Sequence, residues 1–573
     1  MELNAKTLNN YLNFIYQNIK PDEVKNLCDR IRTLFSQNLN KEPTKELWNE
    51  KDFFLITYAD SVIQKEKNNL KSLSEFLKKY CKEFSFVHLL PFYPFSSDDG
   101  FAVTDYKKVS KENGEWADFK RLSSKFKIMT DLVINHCSSE NQLYKNFLTA
   151  KEPGSNFFIS SERDFNNFSL VVRPRSSDLS KKVEILGKKK YVWCTFSHDQ
   201  IDFNFKNPEV LFFFLEIIKF YLDKGAKALR LDAVAFLWKE QGTKCINLPQ
   251  THTIIRLIRH IVESYSKNCL IITETNIPNH ENLSYFGNNN EAHCIYNFSL
   301  APLLIHAIVS ANNSYLKQWS RSMPPAQFGN AYLNFLSTHD GIGMRPLEGI
   351  LPKNELNKFI KVLKKSGAFL THRISQNKKT VYEVNVTLID AFKETYSGKD
   401  NLVLKRFILA HQILFSMEGI PAIYIQNLVG SKNDLKKLEI TKSFRSVNRK
   451  NWNFDELSKL LKKKSINSKV YLSLISLVKL RKKQPAFHPN ATQFTLQLEK
   501  NIFGIWRQSI DRSQSIFCIS NLSKKKKKIS LLDINLISTE KWHDIISKKR
   551  ITEIQGNITL LPYQSMWITN KKF

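Results

Sequence analysis

The chain of 573 residues contains little glycine, few cysteines and no long apolar run, and each shortage excludes a class of protein. With 17 glycines and 18 prolines, the sequence excludes collagen-like and low-complexity architectures. No run of about 18 apolar residues occurs, so no membrane span is predicted. Hydrophobic residues still make up 42% of the chain, which is enough for a large core and excludes disorder over most of it.

The eight cysteines are scattered singly, with no CxxC pair and no Cys/His cluster. The first twenty residues lack the apolar core and the cleavage site of a secretory signal. We therefore expect free thiols in a reducing compartment and a cytoplasmic protein. No acidic cluster has metal-site spacing, and we expect neither a metal nor another cofactor.

Acidic residues are also few, because the chain has 54 Asp and Glu residues and 86 Lys and Arg residues, which gives a net charge of +32. Such an excess suits nucleic acid or a membrane surface. The basic residues are dispersed, however, apart from the run Lys524 to Lys528, and no zinc-finger, RNP or P-loop motif accompanies them. We expect small-molecule partners, no nucleic acid and no membrane, and a monomer or homodimer.

Eight short apolar runs alternate with segments that have helical spacing. Near-continuous apolar runs are typical of parallel strands that are buried on both faces. The alternation predicts an α/β fold, a (β/α)8 TIM barrel. The runs cover 52–60, 84–94, 127–136, 228–234, 269–275, 293–298, 332–340 and 419–425.

Two intervals are too long for a simple crossover and predict inserted subdomains, after strands three and seven. Beyond about residue 490 the apolar pattern has period two, which predicts an antiparallel β domain. The expected order is an N-terminal helical extension (1–51), the first part of the barrel (52–136), an insertion (137–200), strands four to seven (201–340), a second insertion (341–401), strand eight with the final helices (402–489) and the β domain (490–573).

Polar side chains follow four of the eight runs, where a barrel gathers its strand ends at one face. They are His136, Arg230, Asp232, Glu274, His339 and Asp340. A carboxylate after an apolar strand is costly to bury unless a charge offsets it. Arg230, two residues before Asp232 on the same strand face, supplies that offset.

Two carboxylates at one pocket suit glycosyl transfer, in which one attacks the anomeric carbon and the other protonates the departing oxygen. The attacking group needs a low pKa, which we expect Arg230 to give Asp232. The acid needs a raised pKa, which apolar surroundings would give Glu274.

The segments RLDAV, ITE and THDGIG, in that order, resemble the conserved regions of the α-amylase superfamily, glycoside hydrolase family 13. This resemblance implies that Asp232 is the nucleophile and Glu274 the general acid/base. It also implies that Asp340 holds the sugar hydroxyls and stabilises the transition state, and that His136 and His339 bind sugar hydroxyls.

Longer segments resemble the sucrose phosphorylase subfamily over about nine tenths of the chain, among them HLLPFYPFSSDDGFAVTDY, VWCTFSHDQIDFN and STHDGIGMRPLEGIL. The resemblance implies retaining transfer of an α-glucosyl unit to inorganic phosphate, which is a substrate and not a cofactor. It places Asp99 and Phe101 against the glucosyl unit. Arg449 matches a further sugar-binding position.

Phosphate competes with water only where a sheltered cation raises its local concentration, and the planar guanidinium of arginine suits this task. The Arg173-Pro174-Arg175 stretch resembles the subfamily's phosphate-binding loop, and the match points to Arg175. The alternative is that this stretch is a solvent-exposed turn.

The departures from sucrose phosphorylase concentrate on the acceptor side. Val172 replaces an aromatic residue, and Glu383 follows the retained Tyr382 where sucrose phosphorylase has Gln. The GMRPLEGIL and YEVN segments are closer to relatives that phosphorolyse glucosylglycerate or glucosylglycerol. Arg345 and Arg175 favour an acceptor with a carboxylate, such as glycerate, whereas Glu383 favours a neutral polyol.

We therefore expect phosphorolysis of glucosylglycerate. The alternatives are phosphorolysis of sucrose or glucosylglycerol, and hydrolysis by an α-glucosidase. A catalytically silent binding protein is disfavoured, because all three carboxylates are present.

Overall fold

A computed structural model of the chain describes residues 3–36, 46–165, 170–375, 378–534, 536, 540–552 and 556–571. Eight parallel strands close into a barrel in which each strand pairs with its neighbours in chain order and β8 closes on β1. They are β1 Phe54–Thr57, β2 Phe86–Leu89, β3 Lys127–Val133, β4 Ala226–Asp232, β5 Leu270–Thr273, β6 Cys294–Tyr296, β7 Ala331–Asn334 and β8 Ile420–Tyr424. The (β/α)8 barrel expected from the sequence is confirmed.

Each strand overlaps one of the eight apolar runs, and β7 ends well before the end of its run at residue 340. It ends at Asn334, opposite Pro421 on β8, and proline has no N–H for a further ladder bond. His339 and Asp340 therefore lie on the loop that follows the strand. This loop returns to the carboxyl face of the barrel, where the other strand ends meet.

Helices cover the barrel and occur in the regions with helical spacing. The helix Pro208–Asp223 is typical, with Asn207 capping its first turn and Pro208 at the position where a missing N–H costs nothing. The helices are Ala5–Ile15, Pro21–Leu34, Asn69–Tyr80, Trp116–Ser123, Gln142–Leu148, Pro208–Asp223, Pro249–Tyr265, Asn279–Leu283, Leu300–Ser310, Ser314–Ser322, Lys353–Lys365, Leu388–Ala391, Val403–Ser416, Ile425–Leu428, Leu435–Thr441, Phe454–Lys462 and Ile466–Arg481.

Smaller sheets lie outside the barrel. After β3, the hairpin Ser180–Ile185 and Lys188–Trp193 pairs with Ser160–Ser161. After β7, the hairpin Phe369–Ser375 and Lys378–Asn385 pairs with Ile342–Gly343. The C-terminal region contains the strands Thr492–Thr495, Ile502–Gln508, Ser515–Asn521, Lys527–Ser530, His543–Asp544, Lys549–Arg550, Asn557–Leu560 and Ser565–Thr569. A separate core there includes Phe517 and Trp542.

All eight cysteines are free and buried. Within the described ranges, no helix has both the length and the apolar character needed to cross a membrane.

A buried ion pair fastens the segment after β3 to the barrel. Asp202, fully buried, accepts hydrogen bonds from the Thr195 backbone N–H (2.8 Å) and side-chain hydroxyl (2.6 Å) and from the Asn135 amide (2.9 Å). The Lys239 Nζ lies 2.8 Å from Asp202 Oδ2 and donates to Asn135 Oδ1 at 2.7 Å. The ammonium thus joins the end of β3, the insertion and the loop after β4.

Lys239→Met is expected to lower the free energy of unfolding by about 3–5 kcal/mol, because it leaves the Asp202 carboxylate buried without its cation. Urea denaturation followed by circular dichroism measures this loss. The control is Lys189→Met, an exposed position on the strand Lys188–Trp193 of the neighbouring hairpin, which should change stability by less than about 0.5 kcal/mol. Equal stability of the two variants would contradict the anchoring role.

Candidate active site

A pocket at the carboxyl ends of the barrel strands collects most of the side chains singled out in the sequence. Ten of them line it: Phe101, His136, Arg175, Arg230, Asp232, Glu274, His339, Asp340, Tyr382 and Glu383. The three carboxylates Asp232, Glu274 and Asp340 therefore face one cavity. Asp99, Arg345 and Arg449 are not among its lining residues.

The floor of the pocket is built around the buried guanidinium of Arg230. Its Nη1 donates to Asp232 Oδ1 at 2.7 Å and also to Asp131, which lies directly opposite on β3. Its Nη2 lies 4.0 Å from Glu274 Oε2. Asp131 in turn contacts His88 Nε2 at 2.7 Å inside the barrel. One positive charge is thus shared by three carboxylates.

This sharing corrects the expectation that Arg230 gives Asp232 a low pKa. Burial raises the pKa of Asp232, and although Arg230 opposes this effect, the charges of Glu274 and Asp131 add to the rise. The pKa of Asp232 therefore lies well above its ordinary value. The sequence argument did not include Asp131, which takes part of the Arg230 charge.

Glu274 meets its expectation, because burial raises its pKa. Its Oε2 accepts one hydrogen bond, from the Ala233 backbone N–H at 3.0 Å. Arg230 donates directly to Asp232 but lies 4.0 Å from Glu274, so it stabilises the anionic form of Asp232 more than that of Glu274. This asymmetry suits a nucleophile beside a general acid.

Asp340 is held as an anion. Burial favours the neutral acid, but Arg445, with help from His339 and Arg449, lowers the pKa of Asp340. Arg445 Nη1 lies 2.9 Å from Asp340 Oδ1, and His339 Nε2 lies 3.4 Å from Oδ2. The His339 ring stacks on Phe101 with centroids 5.0 Å apart, which forms an aromatic wall.

His136 lines the pocket as a neutral ring, because burial lowers its pKa to about 4. Its Nε2 is 3.0 Å from the Phe101 carbonyl and 3.1 Å from the Gln200 amide nitrogen. A neutral imidazole between these groups can exchange hydrogen bonds with a sugar hydroxyl.

The acidic pair Asp98 and Asp99 is arranged differently from the sequence expectation. Asp99 pairs with Arg449, and both line a neighbouring cavity beside Tyr58. Asp98 lines the active-site pocket instead. Both residues have positive φ (54° and 48°), and Gly100 follows at 110°, so consecutive side chains diverge. A Cβ on Gly100 would lie 2.8 Å from the Pro91 carbonyl oxygen, which explains the glycine.

Among the residues expected on the acceptor side, Arg175 lies over two aromatic rings, with its guanidinium carbon 5.6 Å from the Phe196 centroid and 6.0 Å from that of Tyr382. Arg345 is buried in the turn Arg345–Leu347, and its charge acts on the Tyr382 phenol. Neither arginine has a carboxylate within salt-bridge distance in the described parts of the chain.

Arg445 is the principal site residue that the sequence argument missed. It lies in the loop after β8 and contacts Asp340, Asp98 (3.5 Å) and Glu383 (2.6 Å). Its position four residues before Arg449 in FRSVNR was the available signal, because a second arginine in that loop faces the same strand ends. No group of three or more His, Cys, Asp or Glu side chains in the described ranges has metal-binding geometry.

The closed barrel and the pocket that three carboxylates share define a class. This is an enzyme of the α-amylase type, with carboxylates that follow strands four, five and seven and face one pocket.

Comparison with known proteins narrows the class. Residues 64–342 match the family model of the α-amylase catalytic domain. Glucosylglycerate phosphorylase of Escherichia coli strain K12 is 37% identical over 98% of this chain and 99% of its own length. Glucosylglycerol phosphorylase of Marinobacter adhaerens is 28% identical over 76% of this chain and 87% of its own.

The crystal structure of sucrose 6F-phosphate phosphorylase from Thermoanaerobacter thermosaccharolyticum has the same fold, with a TM-score of 0.73, 24% identity and coverage of 89% of this chain and 98% of that one. The chain belongs to the glucosyl phosphorylases of the α-amylase superfamily, the group that includes sucrose phosphorylase. The family resemblance seen in the sequence is thereby confirmed.

Asp232→Asn is expected to lower turnover by more than about a thousandfold, because the amide cannot form the covalent glucosyl ester. Its circular dichroism spectrum and melting temperature should stay close to those of the parent, since the amide still accepts the Arg230 hydrogen bond. Release of glucose 1-phosphate measures the loss, with the exposed Asp22→Asn as control. Substantial remaining activity would remove Asp232 from the role of nucleophile.

Proposed function

We propose that the protein transfers the glucosyl unit of glucosylglycerate to inorganic phosphate, giving α-glucose 1-phosphate and glycerate with retention of configuration. Three relatives with the name glucosylglycerate phosphorylase, each 36% or 37% identical over at least 90% of this chain, support this substrate. The reaction uses small molecules only.

In the proposed mechanism, Asp232 attacks the anomeric carbon while Glu274 gives its proton to the departing glycerate oxygen. The glucosyl unit is then esterified to Asp232, and Glu274 is a carboxylate. Phosphate attacks the same carbon from the opposite side and passes a proton to Glu274. Asp340, held as an anion by Arg445, stabilises the positive charge that develops on the sugar in both steps.

The environment of Arg175 is the observation that best supports phosphorolysis. This side chain lines the pocket, is sheltered by two aromatic rings and has no carboxylate partner in the described ranges. The other arginines of the lining, Arg230 and Arg445, are engaged with carboxylates. An unneutralised guanidinium in a sheltered site attracts a dianion much more strongly than it attracts water.

The same charge distribution favours an anionic acceptor. Arg175 and Arg345 flank Tyr382, so the acceptor side carries two positive charges. Glu383 was the residue that favoured a neutral polyol. Both of its oxygens contact Arg445, at 2.6 and 3.1 Å, so its charge is partly offset and its repulsion of a carboxylate is reduced. Glycerate fits this side better than fructose or glycerol.

We further propose that turnover needs no bound metal, because the arginines already neutralise the carboxylates that a cation would otherwise occupy. The buried, unpaired cysteines support a reducing compartment, and we infer a cytoplasmic location from them.

A reverse-direction screen tests the acceptor. With glucose 1-phosphate as donor, phosphate release should be at least about tenfold faster with glycerate than with glycerol or fructose, because only glycerate gains a charge-assisted contact with an arginine. Faster release with fructose or glycerol would select sucrose or glucosylglycerol instead. Release that does not depend on any acceptor would indicate a hydrolase.

Arg175→Ala tests the phosphate site. We expect the apparent KM for phosphate to rise by about tenfold or more and the ratio of glucose to glucose 1-phosphate to increase, since water then competes better for the glucosyl ester. The matched control is Arg163→Ala, an exposed arginine of the same insertion. An unchanged product ratio would show that phosphate binds elsewhere.

A further inference from the structure

Arg445 connects the side of the pocket that would bind the glucosyl unit with the side that would bind the acceptor. Its Nη1 lies 2.9 Å from Asp340 Oδ1 and 3.5 Å from Asp98 Oδ1. Its Nη2 donates to Glu383 Oε1 at 2.6 Å, and its Nε donates to Glu383 Oε2 at 3.1 Å. One planar group thus spans from the transition-state carboxylate to the hairpin on the acceptor side.

The Glu383 contact fixes the orientation of that group. The Glu383 side chain is only 2% exposed, and the two parallel hydrogen bonds leave the guanidinium plane no freedom to rotate. With the plane fixed by Nε and Nη2, Nη1 necessarily points to Asp340. A single-point contact would leave Arg445 free to turn toward Asp98.

The backbone holds the same two regions together. Gly343, three residues after Asp340, pairs with Glu383 across a short antiparallel ladder. Gly341 allows the close approach, because a Cβ there would lie 2.9 Å from the Cβ of Glu383 and 2.7 Å from Asn385 Oδ1. The spacing between Glu383 and the loop that carries Asp340 is therefore small and set by the chain itself.

We propose that Glu383 is a positioning residue for Asp340 that acts through Arg445, and that it is not a ligand of the acceptor. The proposal rests on the glucosyl transfer proposed above. Asp340 acts when the glucosyl unit enters and when it leaves Asp232, whatever the acceptor. Loss of Glu383 should therefore slow every transfer by the same factor, including transfer to water.

Glu383→Gln is the direct test, because the amide keeps the size of the side chain and removes the charge that orients Arg445. With glucose 1-phosphate as donor, kcat should fall about ten- to hundredfold for each of three acceptors. These acceptors are glycerate, arsenate as an analogue of phosphate, and water alone. The KM for glycerate should change less than about threefold, and the relative rates of the three acceptors should stay the same.

The matched control is Glu348→Gln. Glu348 pairs with Arg373 of the same hairpin at 2.6 Å, but its side chain is 44% exposed and does not line the pocket. We expect unchanged kcat and KM for this variant. A rise in the KM for glycerate in Glu383→Gln, with hydrolysis unchanged, would overturn the proposal and make Glu383 an acceptor ligand.

A second pair of variants tests whether Glu383 acts through Arg445. Arg445→Lys keeps a cation next to the carboxylates, so the buried charges stay compensated, but an ammonium cannot form the two-pronged contact. Adding Glu383→Gln to the Arg445→Lys variant should lower kcat by less than a further factor of about three, because Glu383 can no longer orient Asp340 through Arg445. If Glu383→Gln lowered kcat in the Arg445→Lys variant as much as it does in the parent, the proposed action through Arg445 would be wrong. If the parent enzyme forms no glucose 1-phosphate from glucosylglycerate, the proposed function fails instead, independently of either comparison.

Discussion

The site depends on the pairing of Arg230 with Asp131 inside the barrel. The two residues lie directly opposite each other on β4 and β3, so the strand register itself brings the guanidinium to the carboxylate. An unpaired charge at this depth would cost several kcal/mol, and the pair therefore constrains the register that it needs. The same guanidinium reaches Asp232 and lies near Glu274. The register of β3 and β4 thus also determines where the carboxylates Asp232 and Glu274 meet the guanidinium.

The remaining arginines of the site fall into two groups, those that contact a carboxylate and those that do not. Arg445 contacts Asp340, Asp98 and Glu383, and Arg449 pairs with Asp99 and lies 3.8 Å from Asp340, so both arginines help to keep Asp340 ionised. Arg175 and Arg345 have no carboxylate within salt-bridge distance in the described ranges. Arg175, which lines the pocket, is thus available to an anion, and this suits the proposed exchange between glycerate and phosphate.

Much of this could be predicted from the sequence, because eight apolar runs leave little freedom in a parallel barrel and strand ends gather at one face. What could not be predicted depends on local turns and on partners across strands. Asp98 and Asp99 are neighbours in sequence, but two positive φ angles send them to different cavities. The raised pKa of Asp232 follows from its burial and from the nearby charges of Glu274 and Asp131, and Asp131 looks like an ordinary residue within an apolar strand. Arg445 contacts Glu383 and Asp340, which lie 62 and 105 residues before it in the chain, and Asp98, which is more distant still. No local sequence pattern shows these contacts.

The net charge of +32 contributes little to this selectivity. At physiological ionic strength, an exposed lysine is screened beyond about 8 Å, and its field in the pocket is weak. A guanidinium between aromatic rings acts at contact distance in a medium of much lower dielectric constant, where each unit charge has several times the effect. The proposed preference for anions therefore rests on a few sheltered arginines, and the surface lysines affect at most how quickly charged substrates arrive.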